Sequence, residues 1–162
     1  MRIVLRALFG AIAALIIATG SVVATAGSAS AAPAKLSQSQ ASSQLSAAGI
    51  RVTSSGGCTT RSNSSCTSLS QVNAITIQGA VTLRNASGCA LTVTGGTEVG
   101  HASGTYSHYN GYKLDFAITS CLTNYITGTF TSIGGSKWRA GSGNIYYNES
   151  NHWDVTFYSC GC

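Results

Sequence analysis

Two stretches in the C-terminal half alternate apolar and polar residues with a period of two. Over residues 113–119, Leu114, Phe116 and Ile118 fall on one side and Lys113, Asp115 and Ala117 on the other. Over residues 152–158, Trp153, Val155 and Phe157 oppose His152, Asp154, Thr156 and Tyr158. Successive side chains leave a strand on opposite faces, so both stretches are predicted as strands with one buried face. The apolar run at 89–94, closed by Gly95-Gly96, predicts a buried strand, and residues 50–53 and 144–147 predict shorter ones. Helical signals are weaker. Residues 34–48 are polar and Ala-rich, with Leu36 and Leu45 too sparse for an apolar stripe; they read as a short helix or frayed lead-in that Gly49 would end. Residues 122–130 fit a short helix. At 72–84 the signals conflict, because Ile75, Ile77, Val81 and Leu83 fit a period of two while the length suits a helix. Stretches rich in Ser, Thr, Asn and Gly at 54–70, 95–111 and 131–143 read as loops. The expected class is α+β, a small and mostly antiparallel sheet with few short helices.

The N-terminus has a different character. Arg2 and Arg6 are followed by no charged residue until Lys35, and an apolar core at 11–17 leads to Ala29-Ser30-Ala31. This is the pattern of a secretory signal peptide over residues 1–31, with a retained membrane anchor as the alternative. A lead-in segment at 32–49 and one domain at 50–162 would follow. Cleavage leaves seven basic and four acidic side chains, a net charge of +3. Low charge, 19 Gly and one Pro exclude a coiled coil, a collagen-like chain and a highly charged disordered tail. The seven cations are spread along the chain rather than clustered, so no nucleic-acid partner is expected. No membrane partner is expected after cleavage, and a secreted, extracellular monomer is.

Export also decides how the six Cys are read. An oxidising compartment favours disulfides, and a small domain gains most from covalent closure. We expect Cys58–Cys66, which closes a short polar loop, and Cys89–Cys121; Cys160 and Cys162 are left for each other or for unknown partners. A thiolate zinc site is disfavoured, because no C-x2-C pair occurs.

The four acids and three His all lie between Glu98 and Asp154. They form two groups, Glu98/His101/His108/Asp115 and Glu149/His152/Asp154, from segments that could meet in space. Two imidazoles and a carboxylate, His108, Asp115 and His152, suit Zn²⁺ and leave a fourth position for water. Glu149, three residues before His152, would carry the proton as general base. Asp154, two residues after His152 on the same strand face, would accept the second imidazole proton of His152, or pair with a cation. His101 is a fourth ligand or a loop hydrogen-bond donor, and Glu98 caps a turn or meets substrate. Tyr106, Tyr109 and Trp153 either orient substrate or pack. Neither a G-x-S-x-G nucleophile elbow nor a P-loop is present.

His108, Gly111 and Asp115, followed by Glu149-x-x-His152 and Trp153, resemble a family pattern: His, Gly three later, Asp seven later, then Glu-x-x-His near a Trp. It is that of the zinc D-alanyl-D-alanine carboxypeptidases and L-alanyl-D-glutamate endopeptidases, to which the hedgehog signalling domain is structurally related. The stretch from Thr94 to His108 looks like a secreted actinobacterial subgroup, and element order agrees from about Val72 to Tyr158. The resemblance implies a hedgehog-like zinc fold, with His108, Asp115 and His152 as ligands, Glu149 as general base, and peptidoglycan or a related peptide as substrate. Gly96-Thr97-Glu98 stands where that family carries Gly-x-Arg, which gathers a substrate carboxylate, so endopeptidase action, a basic or amine-bearing substrate, or no peptidase activity is expected over carboxypeptidase action. Two alternatives stand beside this reading. One is a small secreted metal-independent ribonuclease, with Arg139 or Arg84 steadying phosphate; the other is a non-catalytic cell-wall-binding module that keeps zinc as a clamp.

Overall fold

Residues 32–161 are described in the computed structural model; the leader expected over residues 1–31 and Cys162 lie outside the described residues. Strand β1 (Lys35–Leu36) precedes helix α1 (Gln38–Ala47). The helix starts at a capping box: the Ser37 hydroxyl accepts the Gln40 N–H at 3.3 Å and the Gln40 side chain accepts the Ser37 N–H at 2.9 Å. Ala41 and Leu45, one turn apart, carry its buried face. After β2 (Arg51–Val52) and the loop held by Cys58–Cys66, β3 (Val72–Asn73) pairs with β1 and runs straight into α2 (Ala74–Ser87). The ambiguous segment is therefore mainly helix. Ile77, Ala80 and Leu83 are fully buried at helical spacing while Ile75 and Val81 are half-buried, so the apparent period of two is incidental.

The chain continues through β4 (Thr92–Gly95), β5 (Lys113–Ala117), α3 (Ser120–Thr129), β6 (Thr131–Gly134), β7 (Lys137–Arg139), β8 (Ile145–Asn148) and β9 (His152–Thr156). Seven strands form one sheet in the order β2-β4-β5-β9-β8-β7-β6, parallel only between β2 and β4. The class is α+β, as expected. One region departs from expectation: residues 131–143 contain the β6–β7 hairpin, turning at Gly134-Gly135-Ser136 with φ of 84°, 57° and 57°. All four β6 residues are exposed, so no alternation marks it, and pairing of β7 with β8 fixes the hairpin instead.

One face of the sheet is the core. Leu114 and Phe116 on β5, Trp153 and Val155 on β9, and Tyr146 on β8 join Ile77 and Leu83 of α2 and Leu122 and Ile126 of α3 in a single cluster. The second disulfide, Cys89–Cys121, ties the approach to β4 to the first turn of α3. Cys160 is exposed and bonded to no described cysteine, and its expected pairing with Cys162 lies outside the described residues. Among the described residues no helix is long and apolar enough to cross a membrane.

Candidate metal centre

The opposite face of the sheet carries the ionisable residues. In the β5–β9 ladder Asp115 stands opposite Asp154, and Ala117 opposite His152, so Asp115, Asp154 and His152 all project from this open face. The β8–β9 turn, with Ser150 at φ 75°, closes through a Glu149 N–H bond to the His152 carbonyl at 3.0 Å. It brings Glu149 Oε2 to 3.3 Å from His152 Nε2.

The third contribution comes from the loop between β4 and β5. A β-bulge puts Gly95 opposite Asp115, where a Cβ would lie 2.3 Å from Asp115 Oδ2; only glycine leaves room for the carboxylate. At the far end Gly111 turns the loop with φ 77°, pressed against the backbone of residues 71–73. His108 is buried between these points. Its Nδ1 meets the Gly96 carbonyl at 2.8 Å, which fixes the ring and aims Nε2 at the open face. Of the two roles open to Glu98, the structure shows the cap: the residue is 3% exposed and its carboxylate accepts N–H bonds from Ser68 at 2.7 Å and Gly96 at 3.0 Å. It pins the loop, and also holds His101 Nε2 at 3.1 Å.

Asp115 Oδ1 is the point of convergence. His108 Nε2 lies 3.2 Å and His152 Nε2 3.4 Å from this one oxygen, which is buried and makes no aligned hydrogen bond. His101 stacks on His108 with ring centroids 3.8 Å apart, its Nδ1 3.9 Å from the other Asp115 oxygen. His101, His108 and Asp115 offer ligand atoms all within 4.8 Å of one another, a group able to hold a metal ion. A cavity of about 220 Å³ opens onto the cluster, lined by His101, His108, Lys113, Glu149, His152 and Asp154 among others. The larger hollow of about 650 Å³ between α1 and α2 is lined by residues such as Gln44, Gln78 and Val81 and contains no ionisable group.

Electrostatics follow the packing. Burial alone would lower the His108 pKa, but the close carboxylates of Asp115 and Asp154 outweigh it and raise the value to about 9. Burial pushes Asp154 up, and contact with His108 and Lys113 more than reverses this; Lys113 Nζ sits 2.6 Å from Asp154 Oδ2. Of its two expected roles, Asp154 thus takes the pairing with a cation, Lys113, and also meets His108. For Glu98, burial is likewise outweighed by His101 and the Ser68 and Gly96 N–H groups, leaving its pKa low.

The aromatic candidates separate. Tyr106 is exposed and packs edge-on against Tyr112 and Tyr158 beside the open face. Tyr109 lies under the Arg61 guanidinium at 3.7 Å, away from the cavity lining. Trp153 is wholly buried on the core face, edge-on to Trp138 and donating from Nε1 to Thr123 Oγ1 at 3.3 Å, so it touches no substrate. Lys113 was overlooked as a site residue, although strand alternation places it on the face of Asp115. No family model matches the chain, and no curated protein or solved structure matches it.

Proposed function

We propose that this chain is an exported zinc-dependent hydrolase that cleaves a cell-wall peptide bond or a related amide, with His108, Asp115 and His152 as metal ligands and Glu149 as general base. The buried, orphaned Asp115 Oδ1 between two imidazole nitrogens carries this reading. Neighbouring ligand atoms of a tetrahedral site with bonds of about 2.0–2.1 Å stand about 3.3–3.4 Å apart. The two nitrogens stand 3.2 and 3.4 Å from that oxygen. A buried carboxylate oxygen without an aligned donor is otherwise costly. The family resemblance of the His108–Asp115 and Glu149–His152 spacings points to the same chemistry.

His101 offers a competing ligand set. Its ring lies 16° from parallel with His108, so the in-plane lone pairs of the two rings run side by side instead of meeting on one ion. Its Nε2 is already engaged by Glu98. We read His101 as the buttress of His108 and His152 as the third ligand; among the described residues only His101, His108 and Asp115 lie mutually within 4.8 Å, so His152, which reaches Asp115 but not His108, would swing toward His108 to complete the set.

When bound, zinc would supply Lewis-acid polarisation of the amide carbonyl and a lowered pKa for water. The chain's own groups do the rest. Glu149 Oε2, on the exposed rim of the cavity, takes a proton from the attacking water and delivers it to the leaving amide nitrogen. The Gly96 carbonyl holds the His108 ring, and Lys113 neutralises Asp154 beside it.

Elemental analysis of zinc-loaded, dialysed protein tests the ligand set. About one zinc per chain is expected, lost in His108→Ala and His152→Ala and kept in His101→Ala. Loss in the His101 variant with retention in the His152 variant would transfer the ligand role. Peptide hydrolysis that survives complete chelation would end the metallopeptidase reading.

A further inference from the structure

The open face continues well past the metal centre. Strand register sets Asp115, Asp154, Tyr147 and Lys137 side by side on β5, β9, β8 and β7. A second row two residues along holds Lys113, Thr156, Ile145 and Arg139. Together these rows floor a trough of about 370 Å³, edged by Tyr106 and Tyr158, that shares Lys113 and Asp154 with the metal cavity.

Its charge is unbalanced for a reason that can be traced through the whole chain. There are only four acidic side chains, and all are committed at the centre. Glu98 is bound by Ser68, Gly96 and His101; Asp115 sits between His108 and His152; Asp154 pairs with Lys113; Glu149 faces His152. Lys137 and Arg139 are exposed and have no carboxylate partner among the described residues. Lys137 Nζ lies 4.7 Å from the centre of the Tyr147 ring, a contact that orients the ammonium without neutralising it.

We propose that this trough is a subsite for a carboxylate-bearing peptide segment, whose acidic side chains pair with Lys137 and Arg139 while its backbone runs on to the metal centre. Placing the scissile bond at that centre rests on the hydrolase reading; the charge pairing does not. From β5 to β7 is three strand spacings, about 14 Å, which an extended peptide covers in about four residues. The acidic residue recognised therefore lies about four positions from the bond cleaved. Exposed Ile133 and half-buried Ile145, on the strands flanking the cations and lining the same trough, suit apolar side chains alternating with the acids, which favours a peptide over an anionic glycan.

Binding of capped pentaglutamate to chelator-treated full-length protein, followed by calorimetry, isolates the subsite from turnover and from metal. Capped pentaglutamine should bind at least about tenfold more weakly, and raising salt should weaken the pentaglutamate complex. The Lys137→Gln/Arg139→Gln double variant should lose about tenfold in pentaglutamate affinity and keep the wild-type zinc content, whereas Arg51→Gln on β2, at the opposite edge of the sheet, should change nothing. Equal binding of both peptides, or an unchanged double variant, would overturn the subsite. Tighter binding of an oligogalacturonate through the same two cations would overturn the peptide as occupant. Failure of zinc uptake with charge-selective peptide binding intact would remove the hydrolase reading alone.

Discussion

Strands β5 and β9 have two faces made from interleaved residues of the same short segments. Leu114, Phe116, Trp153 and Val155 are fully buried against α2 and α3, while Asp115, Asp154 and His152 project to the other side. The core face tolerates loss of a contact only as lost stability. The open face holds charge in a cluster that packing alone does not satisfy, since Asp115 Oδ1 and Asp154 Oδ1 are both buried without hydrogen-bond partners. The rigidity of the first face is what fixes the second: Asp115 and Asp154 are each held by buried neighbours on either side in sequence, and His152 by buried Trp153.

The largest effect should come from breaking the open face at its centre. Asp115→Ala is expected to reduce zinc from about one per chain to none and to abolish hydrolysis, while the protein stays folded by circular dichroism. The same experiment on the core face should invert the result. Trp153→Ala is expected to cost about 3–5 kcal/mol in denaturant unfolding, and whatever fraction remains folded should bind zinc normally. If Trp153→Ala stripped the metal from folded protein, the two faces would not be separable in this way.

Glu149 sharpens the comparison within the open face. It is the exposed member of the cluster, so Glu149→Gln should leave stability and zinc content unchanged and lower kcat by about 10²–10⁴-fold with KM little altered. A variant of full activity would leave the proton with another group, and an unchanged ligand affinity with no turnover in the wild type would favour a binding module.

The same asymmetry governs what could be read in advance. Alternation is a local property, so the faces of β5 and β9 were legible, and with them the burial of Trp153, whose neighbour Val155 shares its parity. The capping box at Ser37 and Gln40, found in the structure, gives α1 a firmer start than its sparse apolar residues suggest. The β6–β7 hairpin was not legible, because its exposed Gly/Ser-rich strands owe their form to pairing with β8. Sequence alone leaves Asp154 between the second nitrogen of His152 and a cation, and register decides for the cation by placing it opposite Asp115 with Lys113 in reach. Sequence distance along one strand says little about which cross-strand neighbour a side chain meets. The Gly96 carbonyl that supports His108 depends on tertiary packing and left no local signal, whereas a turn cap was one of the two roles that the position of Glu98 offered.

The smallest effect, and the finest division between the faces, concerns protons. In metal-free protein His108 has its pKa raised from 6.5 to about 9 by the carboxylates around it. Its protonated ring stabilises the fold fully below the unfolded value of about 6.5, and this contribution is lost as pH rises through about 9. Zinc needs the same nitrogen unprotonated, so proton and metal compete. Zinc affinity, measured against a buffering chelator, should weaken about tenfold for each pH unit below about 9. The rise in Tm on adding zinc should accordingly grow from pH 6.5 to pH 9 as the competing proton leaves. Trp153 carries no titratable group, so Trp153→Ala should lower Tm without changing that pH dependence; a zinc affinity flat across the interval would mean that His108 is not a ligand.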